Sequence, residues 1–490
     1  MEQLEWFPRR YLVAILGFLG FANIYALRVN LSVAIVSMTR NRTYQAPNGT
    51  IINLGPEFSW DREIQGLILS SFFYGYIATQ ILGGYLACHY GGKRLFGVGV
   101  LATAIFTLLT PLLAKISVYL LTAARVVEGL FEGVTYPAMH GLWSRWAPPA
   151  ERSRLVTITL SGSYIGTVCA LPLSGALAET QRWSAIFYIF GVLALIWSAV
   201  WFYVVSETPR TDKKISEAER EYIEESIGIT SSSNLSKIEV PWHSILTSVP
   251  VWAIVAAHFC ENWGFYTLLT ELPTFMTDRF GHNMHDAGVL SSFPFLVMGI
   301  VVQCSGYLAD WLRSTGLLST MQVRKLFTCS GFMSQAIFLV AAAHLSSPGA
   351  VIATLTVAVG FGGLAWSGFS VNQLDIAPQF ASVLMGLSNT VATIPGIISP
   401  LLTGHLIRHK TIYEWQTVFM ISSCVYILGA IIYSLLASGK IQPWAFNTQE
   451  CNTLLDDQSH TSNEELAPPT ITTTTNAAVE EEIEEDDDDD

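Results

Sequence analysis

"GGYLACHYGGKR" at 83–94 and "SGYLADWLRSTG" at 305–316 share a core, with Gly84-Tyr-Leu-Ala mapping onto Gly306-Tyr-Leu-Ala 222 residues further on. Each closes an apolar run, and other pairs keep nearly the same spacing. "WAPP" at 146–149 maps onto "IAPQ" at 376–379, Pro172 onto Pro400 and Gly175 onto Gly404, with offsets between 222 and 230. A chain that repeats itself at half its length is built from two similar units.

The composition says where those units reside. Of 490 residues, 51% are hydrophobic and 13% charged, against about 25% charged in an ordinary soluble protein. Apolar runs of roughly 20 residues read as transmembrane helices. They lie near 11–38, 62–87, 94–114, 117–142, 154–179, 184–205, 251–277, 288–309, 325–345, 349–373, 382–407 and 415–438. Twelve spans put both termini on one side. That side carries sixteen Lys and Arg against eight on the other, and the positive-inside rule makes it cytosolic. The expectation is an all-α polytopic membrane protein whose partners include membrane lipid. Two six-helix halves, 11–205 and 251–438, follow a short N-terminus (1–10) and are joined by a polar linker (206–250). The linker carries a capping-box pattern at Ser216 and Glu219.

The net charge of −13 is a property of the C-terminal tail. From Ile441 onward there are fifteen Asp and Glu and no Lys or Arg. The segment 439–490, ending in "EEEIEEDDDDD", reads as a disordered acidic extension that cannot bury a core. The body is near neutral, so nothing indicates a nucleic-acid partner. Seven cysteines lack metal-ligand spacing and form no disulfide framework. The first apolar run, Tyr11 to Met38, is too long for a signal-peptide core. Asn41-Arg-Thr43 and Asn48-Gly-Thr50 are sequons in the first outer loop, which marks Asn41 and Asn48 as glycan acceptors. No nucleophile–base pair or metal motif appears in the loops, so an enzyme is not expected.

The fourth span holds "RVVEGLFEGVTYPAMH", 125–140. At about 100° per residue, Glu128 and Glu132 fall within roughly 60° of Arg125, and His140 about 60° to the other side. Gly129 and Gly133 lie alongside and invite a close-packed neighbour. Each charge would cost about 2.5–3.5 kcal/mol facing lipid, so the stripe faces the bundle interior. By helical rise, Arg125 lies about 12 Å, Glu132 about 22 Å and His140 about 34 Å from the luminal end, with Arg28 of span one about 25 Å up from the cytosol. Two arginines and two glutamates at comparable depth suit an anion site coupled to a proton. Glu128, three residues from Arg125, is equally placed to be its structural partner. His140 suits either a proton relay or a packing hydrogen bond. Asp310 and Arg313 read as a brace of a cytosolic loop, and Tyr25, Tyr266 and Asn372 as polar groups within spans. Internal repeats of this kind build many secondary transporters, with the substrate between the halves.

Several stretches together resemble the anion:cation symporter group of the major facilitator superfamily over residues 10 to about 440. They are "YALRVNLSVAIV", "SFFYGYIATQILGGYLA", "EGVTYPAMHGLWSRWAPPAERSRL", "GTVCALPLSGAL", "FYTLLTELPTFM" and "LDIAP". The superfamily loop motif has Asp-Arg where this chain has Cys88-His89. The Arg-x-x-Glu-x-x-x-Glu arrangement of Arg125, Glu128 and Glu132 is similar to the sialin branch. The positions where the vesicular glutamate branch has Arg and His are here Glu261 and Leu69. The resemblance implies Arg28 and Arg125 for the carboxylate of a small anionic substrate such as a sialic acid-like sugar, and the span residues Tyr25, Tyr266 and Asn372 are substrate-binding candidates beside them. The resemblance implies Glu128 and Glu132 for the proton, with His140 the candidate relay read from the stripe itself and sodium the alternative ion, as in a phosphate or urate carrier. No cofactor is expected, and the chain is expected to act as a monomer. A receptor that binds its anion without moving it is the rival of another class. Glu450 followed by Leu454 and Leu455 resembles an acidic dileucine signal of the kind clathrin adaptors read, which points to lysosomal, endosomal or vesicle membranes, with the plasma membrane also open.

Overall fold

The computed structural model describes residues 7–39, 42–45, 51–179, 183–227, 239–280, 284–409 and 411–445. Asn41, Asn48, Glu450, Leu454 and Leu455 lie outside them.

The apolar runs become long helices because a chain in lipid must pair its own backbone groups. They are α1 (Arg9–Thr39), α2 (Arg62–Tyr90), α3 (Gly92–Ile116), α4 (Val118–Glu132) with α5 (Thr135–Trp146), α6 (Arg152–Glu179) and α7 (Trp183–Val204). After the short linker helices α8 (Glu217–Ile227) and α9 (Trp242–Thr247) come α10 (Val249–Phe280), α11 (Met284–Ser314) and α12 (Thr320–His344). The last are α13 (Pro348–Ala365), α14 (Val371–Ile376), α15 (Ala381–Leu406) and α16 (Ile412–Leu436). Among the described residues, ten stretches are long and apolar enough to cross a membrane by length and composition. The charged pair α4–α5 and the helix α10 occupy the other two predicted spans. Local signals set several ends: Asp61 caps α2 by accepting from Ile64 N at 2.8 Å, and Ser319–Gln322 and Thr411–Glu414 form reciprocal capping boxes.

Four features depart from the sequence expectations. The first outer loop contains a two-stranded antiparallel ribbon, β1 (Arg42–Gln45) with β2 (Ile51–Gly55). The fourth span is interrupted at Gly133–Val134 rather than continuous. Pro137 accounts for that: it has no N–H to give the Gly133 carbonyl, and its ring crowds that group. The capping box at Ser216 is half formed. Ser216 Oγ accepts from Glu219 N at 3.3 Å, but the Glu219 carboxylate turns to the backbone N–H of Arg9 at 2.8 Å and to the Arg10 side chain at 2.8 Å. A half-buried guanidinium outcompetes a backbone amide for it. Finally, Asp310 and Arg313 brace more than a loop, because Asp310 reaches across to α6.

Helices α1 and α6 pack most extensively, and α10 packs against α15 and α16. Between the two sets, α2 meets α15 and α6 meets α11. The opening repeat lies at these seams. A Cβ on Gly84 would strike the carbonyl of Ser382 on α15, and one on Gly306 would strike Thr157 and crowd the Ser153 carbonyl of α6. Both repeats turn away through a glycine in the left-handed region, Gly91 (φ 98°) and Gly316 (φ 70°).

The seam is bonded at the end where α6 begins. Asp310 accepts from the first-turn amides of α6, Ser153 N at 3.1 Å and Arg154 N at 2.8 Å, which suits a carboxylate at a helix N-terminus. Asp375 accepts from Arg324 Nε at 2.6 Å and meets Arg152 of the other half at 3.4 Å. Arg324 also donates to Ser153 Oγ at 2.8 Å, and Ser382 Oγ donates to the Gly84 carbonyl at 2.9 Å. Tyr119, Tyr203 and Tyr413, each more than three-quarters exposed, sit at helix ends where amphipathic rings meet the membrane interface.

Candidate functional site

Helix α4 carries its charges on one buried face. Arg125, Glu128 and Glu132 are 4%, 1% and 0% exposed. The predicted small strip is used: α2 backs onto it so closely that a Cβ on Gly129 would meet the Phe72 carbonyl and one on Gly133 the Tyr76 carbonyl. That approach lets Phe72 and Tyr76 of α2 reach over α4.

Arg28 of α1 finds its acid there. Its Nε donates to Glu132 Oε1 at 2.7 Å, and its terminal nitrogen pairs with the same oxygen. The guanidinium carbon lies 4.6, 4.9 and 4.7 Å from the ring centres of Tyr25, Phe72 and Tyr76, so aromatic faces replace water around the cation. Arg125 pairs with Glu128 on its own helix and lies 5.1 Å from the centre of the same Phe72 ring. Thr107 of α3 donates to Glu128 at 3.5 Å. The four ionisable groups therefore form two pairs sharing one aromatic partition. Arg125 Nε and Glu132 Oε2 are buried without a hydrogen-bond partner.

Beside the Arg28 pair, between the halves, lies a small cavity of about 20 Å³. That volume suffices for about one water molecule. Tyr25, Tyr76, Tyr136 and Tyr164 line it from one half, and Asn262 and Tyr266 from the other. The Tyr25 and Tyr136 hydroxyls bond to each other at 2.9 Å. Asn389 of α15 crosses the seam to Tyr76 at 3.1 Å and Gln80 at 2.7 Å. Arg28 thus stands directly behind two cavity rings.

Of the residues singled out by sequence, Arg28, Glu132, Arg125, Glu128, Tyr25 and Tyr266 come together. Asn372 does not. It is fully buried on α14 and donates to the Tyr433 hydroxyl at 2.9 Å, away from the cavity wall. His140 is also apart from the glutamates. It bonds the Tyr136 carbonyl at 3.2 Å and Ser370 of the other half at 3.4 Å, a packing and seam role. Sequence reading missed Phe72 and Tyr76, although their i, i+4 spacing in "SFFYGYIATQ" marks one helical face.

A family profile described as Major Facilitator Superfamily matches residues 13–400. The chain is 47% identical to sialin of Ovis aries over 456 residues, covering 90% of this chain and 92% of that protein. It is 44% identical to vesicular glutamate transporter 1 of Xenopus tropicalis over 464 residues, covering 94% and 80%. Among solved structures, it resembles the E. coli fucose:proton symporter FucP with a TM-score of 0.62 at 13% identity, covering 87% of this chain and 99% of that one. It resembles the proton:xylose symporter XylE with a TM-score of 0.64 at 16% identity, covering 91% and 98%. At those identities the likeness is one of fold.

Proposed function

Because the chain belongs to the major facilitator superfamily, and within it to the anion:cation symporter group of sialin and the vesicular glutamate transporters, it is a multi-pass secondary transporter, and we propose that it carries organic anions coupled to protons. The substrate class is an acidic sugar or a related carboxylate, moved from an acidic lumen to the cytosol by rocking of the two halves about the central cavity. The location proposed is the membrane of a lysosome, endosome or secretory vesicle.

The observation that carries this reading is that the charge of Arg28 is taken by Glu132, from another helix. A substrate carboxylate reaching Arg28 competes with Glu132 for the same guanidinium. Arg125 is already paired with Glu128, so a displaced Glu132 is left buried without a full countercharge. Such a group gives up its charge by taking a proton. Anion and proton thereby favour each other's binding, and the coupling is reciprocal. On the cytosolic side the proton leaves, Glu132 returns to Arg28, and the anion is expelled. The cavity observed here is too small for a sugar acid, so loading requires the Tyr25 and Tyr76 rings to part.

The test is uptake into proteoliposomes by the purified full-length chain, with a panel of labelled acidic sugars, acidic amino acids and phosphate at an imposed pH difference. Glu132→Gln mimics the protonated acid and should lose pH-driven accumulation at least tenfold while still exchanging labelled for unlabelled anion. Uptake driven by sodium and indifferent to pH would reject proton coupling. Saturable binding without flux would reject transport.

A further inference from the structure

Glu261 of α10 lies outside the two arginine–glutamate pairs, and the cycle above does not use it. It is 1% exposed. One carboxylate oxygen accepts from Gln335 Nε2 of α12 at 2.9 Å, and the other, Oε1, has no hydrogen-bond partner. The titratable groups near it are all uncharged in their ordinary forms. Tyr426 comes from α16, with a buried hydroxyl that is also unpartnered, and Tyr164 from α6 of the other half. On α10 itself Cys260 adjoins it, and His258 lies one turn earlier. From α15, α11 and the π-helical turn at Trp366–Ser370, the residues packed toward this part of α10 include Ser388, Ala392, Phe295 and Trp366. Among the described residues no arginine or lysine faces the carboxyl group. Arg324, the buried cation of α12, is held by Asp375.

A buried carboxylate with no cation is costly to keep ionised, whereas the acid form suits the site. Oε2 accepts from Gln335, and an O–H on Oε1 supplies a donor where an unpartnered tyrosine oxygen lies in the same neighbourhood. His258 links this site to the cavity. It lines that cavity, bonds Ser388 Oγ through Nδ1 at 3.1 Å, and leaves Nε2 unpartnered. Three buried polar groups without partners, on α10 and the helix facing it, mark a place built to exchange a proton.

We infer that Glu261 is a second proton-binding site, in the C-terminal half, so that the carrier moves two protons with each anion. The proton enters from the luminal side by way of the cavity and His258. When the halves rock, Tyr164 of the opposite half withdraws from α10, water reaches the carboxyl group, and the proton leaves to the cytosol. The stoichiometry rests on the proton-coupled reading above, but protonation of Glu261 does not.

Two measurements on the full-length protein separate the two. With the membrane potential clamped at zero, each coupled proton contributes about tenfold accumulation per pH unit. Wild type should then approach about 100-fold per unit and Glu261→Gln about tenfold, a slope independent of turnover rate. Equal slopes in the two would overturn the inference. Independently, infrared titration of the purified protein should show a carboxylic-acid carbonyl band at acidic pH that Glu261→Gln removes. Should that variant fail to fold, Glu261→Asp should shift the band. A spectrum unchanged in every folded variant would overturn the inference whatever Glu132 does. A Glu261-dependent band together with full pH coupling in Glu132→Gln would instead refute only the role given to Glu132.

Discussion

The guanidinium of Arg28 is held by three rings and one carboxylate, and this surrounding explains why a membrane helix tolerates it. The planar cation stacks where an ammonium would not, and it presents two donors to a single acid. Arg28→Lys keeps the charge but loses both, so anion uptake should fall more than tenfold, with the half-saturating concentration raised, at normal expression. A variant with wild-type kinetics would show that only the charge matters. The pair also makes a stability prediction. Removing one partner of a buried pair costs about 3–5 kcal/mol, while neutralising both is far milder. Arg28→Gln or Glu132→Gln alone should therefore lower the thermal midpoint in detergent, and the double variant should recover much of the loss. Additive losses would mean that the two groups do not depend on each other.

At the scale of elements, the twelve spans were legible because bilayer thickness dictates run length, and the buried stripe on α4 because helical angle follows from spacing alone. Rise per residue placed Arg28 and the α4 charges at comparable depth. It could not say that Arg28 would choose Glu132 over Glu128, because depth fixes height and not azimuth between helices. The break after Glu132 was written in "GVTYP" as Pro137, but apolar content dominated the reading of that run. The ribbon in the outer loop had no legible signal beyond a few β-formers. The break has a consequence of its own. It frees the Gly133 carbonyl one residue from Glu132 and re-aims α5, whose His140 reaches Ser370 across the seam. Pro137→Ala should restore a continuous helix, which raises the thermal midpoint slightly but misplaces that contact and slows transport several-fold. Faster transport at unchanged stability would argue that the kink has no part in the cycle.

For the whole molecule, the repeated stretch that betrayed two halves is also where they lock, and the two copies lock unequally. Asp310 caps two amides of α6 across the seam, whereas its counterpart Cys88 offers only a thiol to the Gln379 carbonyl at 3.5 Å. One side of the seal at this end is therefore a charged cap reinforced by Asp375 and three arginines, and the other rests on close glycine packing at Gly84. Opening at this end must break the first and uncover the second. Cys88 is 6% exposed in the sealed state, so it is a native reporter of that opening. Losing an N-terminal cap costs about 0.5–2 kcal/mol, enough to change a two-state equilibrium about twofold to about thirtyfold. Asp310→Asn should thus raise maleimide labelling of Cys88, mapped by mass spectrometry on the reconstituted protein, by several-fold. Labelling of the exposed Cys169 and Cys304 should not change. Excess anion on the luminal side, by driving the loaded carrier through its cytosol-facing state, should raise Cys88 labelling in wild type and add little in the mutant. If Cys88 stays protected in Asp310→Asn while transport proceeds normally, the Asp310 cap is not the latch, and the seal resides in the glycine-lined seam between α2 and α15.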